Sequence, residues 1–202
     1  MHSWTRPAVA LLLAITTAGC GGSDEGVERA DESAVAAGPQ DAFFTRLASM
    51  CGEAYRGEAV LASGSGFEGE MVMHVRRCTD SEIQIPLHVG ENRSRTWIIT
   101  RTPDGLRLKH DHRLEDGTDD PVTQYGGDTA TPGTATEQSF PADAYTAELI
   151  PDAATNVWTI TLTDDERLVY HLERHGAPRA TFEFDLSGSV EPPPAPWGYE
   201  GT

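Results

Sequence analysis

Hydrophobic and polar residues alternate along most of the chain after residue 53, in short runs bounded by glycine, proline and aspartate. Alternation places one set of side chains on each face of a β-strand, so each run predicts a strand with one apolar face. Eight such runs predict strands at 55–62, 70–78, 82–89, 93–100, 106–114, 156–163, 167–174 and 179–187.

Short turns join several of these runs. A Pro-Asp-Gly sequence at 103–105 suits a tight turn because proline presets φ and glycine tolerates positive φ. Short connections favour antiparallel neighbours in a meander, which closes into a barrel or folds over into a sandwich. The strand number favours a barrel whose interior can hold one small ligand. We therefore predict an all-β antiparallel meander that closes into a small β-barrel, lipocalin-like in architecture but without a lipocalin or wider calycin signature.

A short helix precedes the strands. Phe43, Phe44, Leu47 and Met50 recur at helical spacing, and we expect a helix over 41–52 with Asp41 as its N-cap. Further on, the stretch at 116–136 is rich in Gly, Asp, Thr and Pro and predicts a long loop, whereas 140–154 can form one or two helical turns.

The N-terminal segment differs from the rest in composition. Residues 1–19 have the layout of a secretory signal peptide, and the TAGC sequence at 17–20 resembles a bacterial lipobox, which implies lipidation of Cys20. Residues 20–39 are small and acidic and predict a disordered tether. The barrel domain is expected over 40–190 and an extended proline-rich tail over 191–202.

The lipobox implies a lipid-anchored protein of the cell envelope. In bacterial lipoproteins a residue other than Asp after the lipidated cysteine implies sorting to the outer membrane, and Gly21 satisfies that rule. We therefore expect the periplasmic face of the outer membrane, with the lipid as the membrane contact. A secreted protein without lipid and an uncleaved anchor are the alternatives.

The three cysteines fit the same compartment. Lipidation would use Cys20, which leaves Cys51 and Cys78 where disulfides persist. We predict one disulfide between them; two buried free thiols are the alternative.

The charge of the chain excludes one class of partner. Asp and Glu number 32 against 15 Lys and Arg, for a net charge of −17. A chain this acidic repels the phosphate backbone and is not expected to bind nucleic acid.

Two histidines mark the strand at 106–114. Leu106, Leu108, His110 and His112 fall on one parity, opposite a parity that is fully charged: Arg107, Lys109, Asp111, Arg113 and Glu115. Imidazoles at i and i+2 on one strand face can chelate a metal, orient a ligand in an apolar pocket, or simply be hydrogen-bonded in the interior. All three interpretations stay open, and a cupin site is not completed because no second motif follows.

Other inward parities supply wall candidates for a ligand site: Trp158, Tyr170, Phe182 and Phe184. Trp97 stays unassigned because it shares its parity with Arg95 and Arg101. The remaining polar clusters have simpler interpretations as solvated surface. They are the HxExH of His171, Glu173 and His175, which could otherwise chelate a metal; the acidic loop at 115–120, which could otherwise bind calcium; and the arginines Arg76, Arg77, Arg93, Arg95 and Arg101, which could otherwise form an anion-binding edge.

Residues 41–198 resemble a set of uncharacterised bacterial lipoproteins, for which no activity is assigned. The stretches that carry the resemblance are FFTRLASMCGEAYRGE, IPLHVGENRSRTWIITR, LRLKHDHRLEDG, QYGGDT, FPADAY and PPAPWG. The resemblance implies a secreted lipoprotein and adds no chemistry.

Three functions follow as hypotheses. The first is a binding protein for a small, partly apolar ligand contacted by His110 and His112. The second is a metal-dependent enzyme using the same pair, although no complete catalytic or phosphate-binding motif is present and no cofactor is indicated. The third is a structural or assembly lipoprotein that binds another envelope protein. An open cavity favours the first, further ligands near the histidines the second, and a fully packed interior the third.

Overall fold

The computed structural model describes residues 38–164 and 166–201. The expected signal peptide, the lipidation site Cys20 and nearly all of the expected tether lie outside the described residues.

The N-terminal helix α1 spans Pro39–Ala48. Gly38 is its N-cap and Pro39 occupies the first turn, where proline needs no hydrogen-bond partner and its φ already suits a helix. The expectation that Asp41 caps the helix is therefore wrong: Asp41 lies in the first turn and forms an ion pair with Arg101. The apolar face of α1 is buried, as its spacing predicted.

Strands dominate the remainder of the described chain. Their bounds are β1 Ala54–Ala62, β2 Met71–His74, β3 Arg77–Cys78, β4 Glu82–Val89, β5 Asn92–Thr102, β6 Gly105–His112, β7 Tyr125–Asp128, β8 Glu137–Pro141, β9 Asn156–Leu162, β10 Arg167–Arg174 and β11 Ala177–Asp185. Between β8 and β9 lie a short helix, α2 Ala144–Leu149, and a 3-10 turn, Pro151–Ala153. The helical turns expected over 140–154 are thus confirmed, but β8 takes the beginning of that stretch.

Ten of these strands form a nearly closed antiparallel barrel, as the alternation predicted. Their order is β7-β6-β5-β4-β2-β1-β11-β10-β9-β8, and β3 pairs with β4 beside this path. The strand β1 joins the two halves because it pairs with β2 on one edge and with β11 on the other. A seam remains between β7 and β8, which share no strand pairing in the described chain.

Backbone close contacts and a side chain hold the seam together. The Asp143 amide donates to the carbonyl of Gly126, and Thr146 of α2 exchanges hydrogen bonds of 2.7 and 2.8 Å with both backbone groups of the same glycine. A Cβ atom on the next residue, Gly127, would overlap the carbonyl oxygen of Pro141. Glycine at this position therefore lets the two strand edges approach.

Helix α1 covers one end of the barrel. Gln40 donates to Thr129 after β7, Arg46 to the carbonyl of Thr163 after β9, and the Arg101 guanidinium lies over the Phe44 ring. Buried aliphatic and aromatic side chains from both halves fill the barrel next to this end. The barrel is thus closed by α1 at the end where β5, β7 and β9 finish.

A disulfide joins Cys51, in the turn after α1, to Cys78 of β3, with the two Cα atoms 6.1 Å apart. The predicted pairing is confirmed. The bridge ties the helix to the strand that flanks β4 at this covered end.

The C-terminal tail crosses the outer face of the sheet. The Val190 amide donates to Ala54 of β1, Arg93 of β5 donates to the Ala195 carbonyl, and the Tyr199 hydroxyl donates to Asp111 of β6 over 3.0 Å. The outward charged face expected for β6 is therefore only partly present. Asp111 is fully buried and also accepts hydrogen bonds from Arg113 and Gln124.

Candidate ligand-binding site

A cavity of about 310 Å³ occupies the barrel end opposite α1. Its residues lie where β1, β6 and β10 finish and where β7, β9 and β11 begin, together with the loop at 63–70 and the segment around the 3-10 turn. This volume is at the lower end of the range for small-molecule sites. The barrel is thus packed in its covered part and hollow at its mouth.

Aromatic rings form the floor and one wall of the cavity. Tyr170 is stacked between Trp97 and Phe182, with ring centroids 4.4 and 5.4 Å apart and nearly parallel planes. Trp158 and Tyr125 continue the wall, and Phe67 from the 63–70 loop packs on Phe182 at 4.8 Å. Rigid stacked rings present a large apolar surface that keeps its shape when empty.

His110 lies below this floor and does not line the cavity. Its Nδ1 is 3.1 Å from the Tyr125 carbonyl, which can only accept, so Nδ1 carries the proton. Its Nε2 then accepts from the Tyr170 hydroxyl at 2.9 Å. Burial, followed by the nearby charge of His112, lowers the pKa of His110 to about 3. His110 is therefore a neutral, fully paired member of the core that fixes the Tyr170 ring.

His112 lines the cavity. Its Nε2 lies 3.1 Å from the Tyr125 hydroxyl. Burial lowers the pKa of His112 to about 4, and the positive charge of Arg95 acts in the same direction. The imidazole is thus neutral at neutral pH and can exchange a hydrogen bond with a ligand.

Arg95 of β5 faces inward, contrary to the expectation that its side chain belongs to the solvated surface. It faces His112 across the β5–β6 pairing, and its guanidinium lies 4.8 Å from the centre of the Phe67 ring. Its Nη1 is buried and has no hydrogen-bond partner in the described part of the chain. Burial lowers the pKa of Arg95 from its ordinary value. The parity shared with Trp97 was the available signal, because it places both side chains inward.

Arg95 does not itself line the cavity, whereas two other arginines, Arg174 and Arg179, line it at its rim. Arg174 donates to the Asn156 side chain over 2.8 Å. Within residues 38–164 and 166–201, no Asp or Glu lines the cavity and none forms an ion pair with Arg95, Arg174 or Arg179.

The structure thus brings together four of the six residues proposed from sequence as ligand contacts: His112, Trp158, Tyr170 and Phe182 line the cavity. Phe184 does not line it and instead packs edge-on against Trp97, with 6.0 Å between ring centroids. Tyr125 and Phe67, which also line the cavity, were not proposed. Tyr125 and Phe67 lie in loop-like stretches, where alternation gives no inward direction.

The arrangement around the histidine pair offers little to a metal ion. Both ring nitrogens of His110 are hydrogen-bonded within the protein. Among the described residues, no group of three or more His, Cys, Asp or Glu side chains is placed to hold a metal.

The other polar clusters are used by the fold. His171 and Glu173 lie on the outer side of β10, where His171 is 2.8 Å from the Thr181 hydroxyl. In the acidic loop, Asp116 accepts from Thr118 and Asp119 pairs with Arg113. The anion-binding edge suggested by five arginines does not form, because Arg101 pairs with Asp41 while Arg95 turns inward.

Comparison with known proteins adds no identification. No protein-family model matches the chain, and the curated proteins include none with a matching sequence. In the described residues, no helix has the length and apolar character needed to span a membrane.

Proposed function

We propose that this protein is a binding protein that holds a small, partly apolar ligand in the mouth of its β-barrel. The observation that carries the proposal is the cavity itself: about 310 Å³ of open space walled by Trp158, Tyr170, Phe182, Tyr125 and Phe67. A barrel whose interior were merely structural would fill this end with side chains, as it does at the end covered by α1.

Fixed polar groups at the edge of the apolar wall support the same proposal. His112 offers one neutral imidazole to the cavity, and the Tyr125 hydroxyl lies 3.1 Å from it. A few placed polar groups in an otherwise apolar site are what orient a ligand.

Binding of an uncharged fluorescent probe tests the proposal. N-phenyl-1-naphthylamine should bind to the purified protein with an increase in fluorescence. Ala180→Phe should abolish that increase, because Ala180 lines the cavity and the added ring would occupy it. Val60→Phe is the matched control, since Val60 is 57 % exposed on the barrel. A signal that is equal in the two variants would place the probe outside the cavity and contradict the proposal.

We also propose that the protein acts at the cell envelope, held there by a lipid on Cys20. The TAGC sequence and the Cys51–Cys78 disulfide support this location, since disulfides persist outside the cytosol. Palmitate labelling that is lost in Cys20→Ala, and processing that is blocked by globomycin, are the expected results. Unlabelled protein that is processed normally would contradict it.

A further inference from the structure

Arg95 is a half-buried cation that forms no ion pair with a described carboxylate, and its Nη1 atom is fully buried. Its Nη1 has no hydrogen-bond partner and no carboxylate pairs with it anywhere in the described chain. Removing a charged group from water without pairing it is costly, and the contact with the Phe67 ring offsets only part of that cost. The chain has 32 Asp and Glu residues, yet none of those that the structure describes pairs with Arg95.

The cavity beside Arg95 has the opposite charge character to the rest of the molecule. The chain carries more than two acidic residues for each basic one, 32 against 15. Yet the described residues that line the cavity include Arg174 and Arg179 and no acid. Elsewhere in the fold, acids partner cations such as Arg56, Arg107 and Arg167. Among the described residues, the lining of the mouth thus holds no carboxylate, although the charge of nearby Asp120 acts on His112 and Tyr125.

Arg95 does not line the cavity, but it lies next to two residues that do, His112 and Phe67. It is the direct cross-strand neighbour of His112, so the two inward side chains start about 5 Å apart. Phe67, which its guanidinium contacts, packs on Phe182 of the apolar wall. A molecule with one apolar part and one charged end can therefore place the first against Trp158 and Tyr170 while the second reaches the arginine.

We propose that the cavity binds a single-chain amphiphile with an anionic head group, and that the head group is bound by Arg95. The proposal rests on the proposed function and specifies its ligand class. Arginine suits this role because its planar fork of donors matches the oxygens of a carboxylate or a phosphate. Arg174 and Arg179 keep the rim positive, and the neutral His112 can add a hydrogen bond to the same head group.

The test compares three probes that share one alkyl chain: decanoate, decanol and decylamine. Each displaces N-phenyl-1-naphthylamine from the purified full-length protein at neutral pH and low salt. We expect decanoate to bind at least about tenfold more tightly than decanol, the size of one charge-assisted contact, and decylamine to bind more weakly than both. The preference for decanoate should shrink as salt is added.

Variants assign the preference to a residue. Arg95→Met keeps the length and the apolar stem, and it should reduce decanoate to the affinity of decanol while decanol itself is retained. Arg77→Met is the matched control, because Arg77 is exposed on β3 and should leave all three affinities unchanged. Far-UV circular dichroism and the thermal midpoint of each variant show whether it is folded. The comparison of probes on the unmodified protein does not depend on any variant.

The outcomes separate the two proposals. If decanol binds as tightly as decanoate, the anionic ligand class is wrong while the apolar binding site stands. If decanoate is preferred but Arg95→Met keeps the preference, the assignment to Arg95 is wrong. If neither these probes nor the dye binds, the proposed function itself fails.

Discussion

At the scale of single residues, Asp111 and Arg95 differ in how completely their charged groups are hydrogen-bonded within the protein. Asp111 is fully buried and receives hydrogen bonds from Arg113, Gln124 and Tyr199. Arg95 is half-buried, and its buried Nη1 has no hydrogen-bond partner in the described chain. The Asp111 carboxylate is therefore fully hydrogen-bonded within the protein, whereas the Arg95 guanidinium keeps a donor without a partner. Stability measurements should separate the two roles.

Asp111→Asn should lower the free energy of unfolding by about 2 kcal/mol. Three donors converge on the carboxylate, and the asparagine amide would turn its NH₂ group toward at least one of them. Urea denaturation at neutral pH measures the change. Glu115→Gln, at an exposed acid of the adjacent turn, is the control and should change little. Equal stability of the two variants would mean that the tail contact does not stabilise the barrel.

Histidine burial predicts a pH dependence with a definite sign. His110 has its pKa lowered from 6.5 to about 3 because burial disfavours the charged imidazole. The unfolded chain therefore binds a proton that the folded protein does not, and stability falls as the pH drops from about 6.5 toward 3. At about pH 5 the loss from this group is about 2 kcal/mol.

His110→Gln should make this dependence shallower without removing it, because burial also lowers the pKa of His112 and of His88 to about 4. The variant also lowers stability at neutral pH by removing the bond to Tyr170. Urea denaturation between about pH 7 and pH 4.5 measures the slope. His175→Gln removes an exposed histidine of the β10–β11 turn and should keep the slope of the unmodified protein. A His110→Gln slope as steep as the control would contradict the assignment.

At the scale of elements, the strands were largely predictable and the seam was not. Alternation identified β9, β10 and β11 and the inward set Trp158, Tyr170 and Phe182, because a strand with one buried face shows its period locally. The strand β8 was missed, since its five residues end in proline beside a helical stretch. The seam depends on contacts between β7, β8 and α2, and such contacts leave no local period.

The candidate site was predictable to the same extent. Residues on long strands could be placed on a face, which gave four cavity residues. The burial of Asp111 depends on the C-terminal tail, because its hydrogen-bond partner Tyr199 lies 88 positions away in sequence. Arg95 was misassigned because a charged residue was expected to face solvent, although its parity with Trp97 pointed inward.

Gly127→Ala should destabilise the barrel by about 2 kcal/mol or more, because its Cβ would overlap the Pro141 carbonyl at the seam. Gly188→Ala is the matched control, since nothing lies near its added Cβ. Hydrogen exchange should show faster exchange at the β7 and β8 amides in the first variant only. Unchanged exchange there would show that the seam adapts freely.

The Cys51–Cys78 disulfide also stabilises the arrangement of elements, because it links the turn after α1 to β3. Reduction should lower the free energy of unfolding by about 3 kcal/mol, because the bridge closes a loop with a sequence separation of 27. Denaturation with and without reductant measures this. The Cys51→Ala/Cys78→Ala double variant should be insensitive to reductant, and sensitivity in it would assign the effect elsewhere.

At the scale of the whole molecule, charge is the dominant property. A net charge of −17 makes the compact state repel itself, and the ion pairs that are exposed contribute little. The thermal midpoint should therefore rise with sodium chloride from about 10 to about 500 mM, as screening shortens the range of repulsion from about 30 Å to a few ångströms. Neutralising the exposed acids Glu91 and Asp104 as amides should reduce this rise. A midpoint that falls with salt would show that ion pairs outweigh repulsion.

The pairing of β1 with β11 has a consequence for biogenesis. Gly57 lies opposite Phe184, so the strand pairing that joins the two halves of the barrel is formed by β1 and β11, near opposite ends of the domain. Until β11 has emerged from the ribosome, the nascent chain has an incomplete sheet. That sheet cannot enclose the cavity at the barrel mouth. The barrel therefore closes around its cavity only after synthesis is finished. A truncated chain that lacks β11 exposes an unpaired β1 edge, which a chaperone or a protease can bind.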